Sequence, residues 1–403
     1  MNRSKNQIGD LALFGGQPAF DELVRVGRPN LGDRGRFLER VNASLDSRAL
    51  TNDGPYVHEL ERRISDITGV RHSIAVCNAT VALEIAIRAC GLEGEVIVPS
   101  FTFVATAHAL QWQRLSPVFA DVDPKTHTLD PTAVEERITP HTSGILGVHL
   151  WGRACDVEGL ASLAKKRNLA LLFDAAHAFG SSYRGQMIGN FGRAEVFSFH
   201  ATKFINSFEG GVIATNDDEI AARAKSMRNF GFISPDETRN VGTNGKMSEI
   251  AAAMGLTSLE SMEDVVKVNR QNHEAYSQGL GGLEGLRVVP FDGSERHNYQ
   301  YVVTQVEPND DQLSRDDLQA VLLAENVMTR RYFYPGCHRL EPYASSTSGA
   351  AITLPVTERL SETVLCFPTG TAVDSEAIER ISQIVRFALS HSDEVRQQLQ
   401  PVA

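Results

Sequence analysis

Lys203 stands in the run Ser198-Phe199-His200-Ala201-Thr202-Lys203-Phe204, 29 positions after Asp174, which ends the apolar run Leu171-Leu172-Phe173. The lysine is surrounded by Phe199, Phe204, Ile205 and Phe208. Desolvation there penalises the ammonium form, and a neutral amine adds to an aldehyde to give a Schiff base. A carboxylate at the carboxyl end of a buried strand lies where open α/β sheets bind ligands. There it can hold a pyridine nitrogen protonated, so that the ring accepts electrons from a substrate carbanion. Together the two residues point to pyridoxal 5'-phosphate chemistry. Each also has a commoner use: the lysine can snorkel from a loop, and the aspartate can cap the next segment. The small residues Ala175-Ala176 after Asp174 favour the ligand reading, because they let a flat ring approach the backbone.

Other residues fit the same ligand. Asn78-Ala79-Thr80 lies between a strand and a helix, where backbone amides and the Thr80 hydroxyl make a phosphate cradle or, equally, a plain helix cap. Ser198 adds a second hydroxyl upstream of Lys203. His177, three residues after Asp174, is within reach of the same ligand or is bonded within its loop. Phe103 opens a helix, where an aromatic can stack on a ring or pack in the core. Arg330, Arg331, Tyr332, Tyr334 and His338 cluster farther on, and Arg331, Tyr332 and His338 are the candidates to meet an anionic substrate. No GxxxxGK[ST] loop or dinucleotide glycine fingerprint is present, so ATP and NAD readings lack their key feature.

These residues need a frame to position them. From Ser73, short apolar runs alternate with helical patterns: Ile74–Cys77, Val96–Pro99, Pro117–Ala120, Gly144–Val148, Leu169–Phe173, Ala194–Ser198 and Gly211–Thr215 are the expected strands. Expected helices include Pro55–Thr68, Val81–Ala89, Phe103–Gln111 and Val157–Lys166. Such alternation predicts an α/β fold with a mostly parallel sheet covered on both faces. Ile250–Leu259 is expected to run into a longer helix through Tyr276. Tyr299–Thr304 reads as a strand, with helices at Leu313–Glu325 and Ser375–Leu389. The division is residues 1–55 as an irregular arm packing on a neighbour, 56–255 as a large domain and 256–403 as a smaller one.

The chain has 403 residues, 42% apolar and 22% charged, with 39 basic against 50 acidic side chains and a net charge of −11. That balance argues against nucleic acid or an anionic membrane as the main partner. Five scattered cysteines with no CxxC pair read as reduced thiols, and no zinc spacing occurs. With no signal-like start and no long apolar run, a soluble cytoplasmic protein is expected.

The chain resembles the DegT/DnrJ/EryC1/StrS aminotransferases, from about Leu11 to the last helix. The motifs that carry the likeness are Asn78-Ala79-Thr80, Pro99 to Thr106, Asp174 to Gly180, Ser198 to Lys203, Glu209-Gly210-Gly211 and Asn244 to Glu249. The resemblance implies the aspartate-aminotransferase-type fold (fold type I) and pyridoxal phosphate as cofactor. Lys203 would then be the Schiff-base lysine and Asp174 the partner of the pyridine nitrogen. His177 takes the place where many members have glutamine near the ring hydroxyl. Ala79, Thr80 and Ser198 match phosphate-binding positions, and Phe103 matches the aromatic over the ring face. Asn244 matches an asparagine that reaches the cofactor phosphate of the neighbouring subunit, which implies a homodimer with composite active sites. Ala201, where most members have proline, and Phe204-Ile205-Asn206-Ser207-Phe208, where they are glycine-rich, depart from the pattern.

With the Leu13-Phe14-Gly15-Gly16-Gln17-Pro18 opening, the likeness is greatest to enzymes that aminate C4 of dTDP-4-keto-6-deoxy-D-glucose in antibiotic or surface-sugar pathways. L-glutamate would be the donor and 2-oxoglutarate the co-product. A 3-keto sugar nucleotide, scyllo-inosose or an aromatic amino acid precursor are alternative acceptors. Related dehydratases carry histidine in place of the lysine, which Lys203 opposes. A pyridoxal phosphate-binding regulator without turnover is the alternative from another class.

Overall fold

The structure is a computed structural model that describes residues 5–307, 312–346 and 352–399. Its centre is a seven-stranded sheet. In spatial order the strands are His72–Val76, Gly211–Thr215, Ala194–Ser198, Ala170–Asp174, Thr142–Val148, Glu95–Pro99 and Ser116–Ala120. All contacts from Ala194–Ser198 to Ser116–Ala120 are parallel, and only Gly211–Thr215 runs against both of its neighbours.

The strands are mostly apolar because helices cover both faces, with polar residues such as His72, Glu95 and Glu195 among them. Along each strand alternate residues enter opposite cores. Ile74, Val96, Val98, Leu146, Leu172 and Ile213 face one way. Ile97, Ile145, Leu171 and Phe173 face the other, as do Ala75, Phe197 and Val212 toward the end of the sheet near Pro55–Thr68. That helix starts with proline at its first turn and buries Val57, Leu60 and Ile64 at helical spacing.

A three-stranded antiparallel sheet, Leu286–Val288, Val302–Val306 and Val364–Phe367, forms a second core. The helices Met262–Gly279, Arg315–Ala324 and Ser375–Ser390 contribute to it.

Three expectations shift. Ile250–Leu259 does not continue into the next helix: Glu249–Glu260 ends at Ser261, and Met262–Gly279 starts afresh. The strand expected from Tyr299 begins at Val302, because Tyr299 has φ 50° and breaks the extended run. The opening 55 residues are not wholly irregular. Arg34–Ser47 is a helix capped by Asp33, whose side chain accepts from the Arg36 amide.

The start of the chain also makes contacts within its own chain. Leu11 and Ala19 are buried in the second core. The buried Glu325 carboxylate accepts from the amides of Ala12 and Ala19, each at 2.7 Å, and pairs with Lys5 at 2.8 Å. Val24–Arg25 pairs with Val327–Met328. Among the described residues no helix is long and apolar enough to cross a membrane.

Candidate active site

Because six of the seven strands point the same way, their carboxyl ends share one edge of the sheet, and the start of the reversed strand, Gly211, joins them. Asp174 ends its strand there and is buried. Thr106 Oγ1 donates to its Oδ2 at 2.8 Å, and the Ala176 amide donates to Oδ1 at 3.0 Å. Thr102 Oγ1 lies 3.0 Å behind Thr106. Burial raises the Asp174 pKa, against the pull of those two donors and of Lys203. A carboxylate held this way favours a cationic N–H as its next partner.

Lys203 sits in the loop between Ala194–Ser198 and Gly211–Thr215. Its amide donates to His200 O at 2.9 Å, and Ser207 N closes the loop onto Phe199 O at 2.8 Å. Buried Phe204 and Ile205 anchor the loop in the core beside Phe179. Asn206 donates to Asn30 O at 2.8 Å, and Asn30 returns a bond to Phe204 O at 3.3 Å. Lys203 is half-buried. Burial pushes the amine pKa down to about 8, with Asp174 opposing.

The Lys203 amine lies 3.5 Å from the Tyr301 hydroxyl, which is 3.1 Å from His177 Nε2. His177 is buried under Trp151, whose ring is stacked on it at 6.1 Å. Its pKa is pushed well below the usual value by burial and then by Lys203, so the ring is neutral. Asn298 donates to His177 O and Phe179 O, at 2.8 and 3.0 Å, and fixes the turn. His177 Nδ1 is buried with no partner among the described residues.

The Ala79–Ala89 helix starts beside Ser198. Gly211 pairs with both Ser198 and Val76, and a Cβ on Gly211 would meet the Ala79 nitrogen at 2.6 Å. Only glycine allows this approach. Asn78 caps the helix by accepting from the Val81 amide at 2.9 Å, so it is a cap as well as a neighbour of the site. As first-turn amides, those of Ala79 and Thr80 have no acceptor within the helix, and a helix start of this kind can take an anion.

Phe103, between Thr102 and the helix of Thr106, is 59% exposed. Asn244 is exposed; next to it, Gly245 O accepts from the Cys77 amide at 2.7 Å. Tyr332 is half-buried with its ring 6.0 Å from that of Tyr301. Arg331 pairs instead with Asp316 at 3.1 Å and lies over Tyr334. Buried His338 is bonded to Ser100 Oγ at 2.6 Å and faces Glu358 at 3.3 Å.

Sequence reasoning missed Tyr301, Thr106, Trp151 and Asn298. Thr106 falls in a motif quoted for the resemblance, and the other three carried no local signal. Elsewhere Asp53, His58 and Glu61 come together, but Arg228 already pairs with both carboxylates at 2.5 Å.

The chain is 37% identical over 366 residues to a dTDP-4-amino-4,6-dideoxy-D-glucose transaminase of Shigella dysenteriae, covering 91% of this chain and 99% of that one. A transaminase of the same name from Escherichia coli is 32% identical over 368 residues, 91% and 98% of the two chains. Among solved structures, that of DesI in the presence of its TDP-sugar product superposes with a TM-score of 0.93 at 48% identity, covering 97% of this chain and 99% of that one. The DegT/DnrJ/EryC1/StrS aminotransferase profile matches residues 33–386, a span that holds every residue of the sheet edge from Asn78 to Tyr301. This chain therefore belongs to the DegT/DnrJ/EryC1/StrS family and is a pyridoxal phosphate-dependent aminotransferase.

Proposed function

We propose that this enzyme moves the amino group of L-glutamate to C4 of dTDP-4-keto-6-deoxy-D-glucose, giving dTDP-4-amino-4,6-dideoxy-D-glucose and 2-oxoglutarate. The observation that supports the acceptor is the similarity to two transaminases named for dTDP-4-amino-4,6-dideoxy-D-glucose, together with 48% identity to DesI, whose structure was solved in the presence of its TDP-sugar product.

The residues present fit the cofactor: a half-buried lysine, a strand-end carboxylate, a helix start that can take an anion and an orphaned imidazole nitrogen meet on one edge. Bound there, pyridoxal phosphate supplies an aldehyde and an electron-withdrawing ring. Ala79, Thr80 and Ser198 hold the phosphate, and Phe103 covers one ring face. Asp174 keeps the pyridine nitrogen protonated, and His177 lies toward the ring oxygen. Lys203 would be the residue whose amine holds the cofactor's aldehyde carbon when the cofactor is bound. Once displaced by glutamate, its Nζ takes the donor's Cα proton, and in the second half it delivers a proton to C4 of the sugar. Tyr332 lies one aromatic layer from Lys203 and is the candidate to meet the sugar. Arg331 and His338 enter substrate binding only through release of their present partners.

The working form is proposed to be a cytoplasmic homodimer with Asn244 reaching the partner's cofactor phosphate. Leu38 and Leu45 on the Arg34–Ser47 helix, Leu50, Ile250 and Phe208 are exposed apolar residues, Phe208 against Phe37, and are candidates for that contact.

The test is a half-reaction. The enzyme, converted to its amino form with glutamate, is mixed with dTDP-4-keto-6-deoxyglucose and followed by absorbance. The expected result is return of the starting spectrum with an amino sugar nucleotide identified by mass and NMR. An unchanged spectrum with this sugar, but a response to a GDP-linked 4-keto sugar or a 3-keto sugar, would overturn the acceptor assignment.

A further inference from the structure

Tyr301 is used by none of these steps, yet its hydroxyl touches two residues that are. It lies 3.5 Å from Lys203 Nζ and 3.1 Å from His177 Nε2. We propose that Tyr301 is a positioning residue: it receives the Lys203 amine whenever that amine is not bonded to the cofactor, and it couples the protonation of Lys203 to the tautomer of His177.

The coupling follows from counting donors. An ammonium group has donors and no acceptor, so toward protonated Lys203 the Tyr301 oxygen must accept. The phenol proton is then given to His177 Nε2, and the single proton of the neutral ring sits on Nδ1. That nitrogen has no protein partner among the described residues and presents its N–H to the site. When Lys203 is neutral, its lone pair accepts the phenol proton. The Tyr301 oxygen then accepts from Nε2–H, and Nδ1 becomes an acceptor. Loss of one proton to solvent from the set therefore reverses both hydrogen bonds.

The neutral Gln300 amide also acts on the Tyr301 hydroxyl, and it does not change with the protonation of Lys203. Asp174 is the charged residue that acts on Lys203. Behind Tyr301 stand Tyr332 and Cys366, whose ionisation burial pushes upward, so both stay uncharged near neutrality.

The inference rests on Lys203 as the Schiff-base residue, and one experiment separates the two claims. Cofactor-free protein is mixed with pyridoxal phosphate, and the rate of Schiff-base formation is followed by visible absorbance across pH. In the parent chain the rate should rise through about pH 8. Tyr301→Phe keeps the ring but removes the acceptor facing the ammonium, so the midpoint should fall by about one unit. His177→Phe should shift it the same way by less. The double variant should titrate like Tyr301→Phe, because the neutral His177 ring acts on the Lys203 amine through Tyr301. An unchanged or raised midpoint in Tyr301→Phe overturns the positioning role, and additive shifts in the double variant overturn the coupling. Absence of Schiff base in the parent chain overturns both claims and the role of Lys203 with them.

Discussion

Burial and a facing carboxylate pull Lys203 in opposite directions, and burial is the larger effect, leaving the amine at about 8 rather than in the usual lysine range. A useful fraction is then neutral near physiological pH, which an amine must be to add to an aldehyde. Lys203→Ala should abolish amino transfer and the Schiff-base absorbance, while equilibrium dialysis should still find cofactor held through the phosphate cradle. Asp174→Asn tests the other partner. The amide retains the shape but carries no charge to hold a pyridinium N–H, so kcat should fall about 10²-fold or more. The Schiff-base absorbance should persist in that variant. Loss of both signals together would instead indicate that Asp174 supports the fold through Thr106 and Ala176.

Two element ends hold the site in place. The Pro55–Thr68 helix is capped from afar: the fully buried Glu249 carboxylate accepts from the amides of Tyr56 and Val57, at 2.8 and 3.0 Å. A Cβ on Gly54 would meet that carboxylate at 2.6 Å, so the turn before the helix must be bare for the cap to reach it. Glu249→Gln retains one acceptor, loses the charge at the helix N-terminus and should cost about 1–2 kcal/mol in urea unfolding. At the Ala79–Ala89 helix, Gly211→Ala pushes a methyl into the first turn. An overpacking cost of about 1–3 kcal/mol should appear as at least about a tenfold loss of cofactor affinity in an absorbance titration. Unaltered affinity would remove Ala79 and Thr80 from the cradle.

The exposed leucines of Arg34–Ser47 matter for the entire assembly. The helix is tied to its own chain through Arg40, which bonds Thr257 and Glu260, while Leu38 and Leu45 stay exposed and are the residues proposed to meet a second subunit. Leu45→Glu should convert a dimer to a monomer in sedimentation velocity, with loss of transamination. A dimer that survives this change would move the interface elsewhere. The net charge of −11 leaves the recognition of an anionic sugar nucleotide to local groups rather than to the overall field.

Periodicity and punctuation made much of this legible from residues alone. Apolar runs bounded by turns marked the strands to within about two residues, since a strand buried on both faces is mostly apolar. Contiguous motifs around Asp174 and Lys203 were equally visible, because one loop and one strand end carry them. Where local signals competed, the reading failed. Asp33, in the segment read as an irregular arm, caps a helix whose only fully buried residue is Ser44, so no buried apolar stripe announced it. Tyr301 is 98 residues from Lys203, and Thr106 is 68 from Asp174. An aromatic near a strand and a threonine on a helix have ordinary structural uses, and nothing in their neighbourhood says which distant side chain they will meet. That pairing is set when the two cores pack and bring Tyr301 over the edge of the large sheet, a contact between segments that hydrophobic pattern alone does not encode.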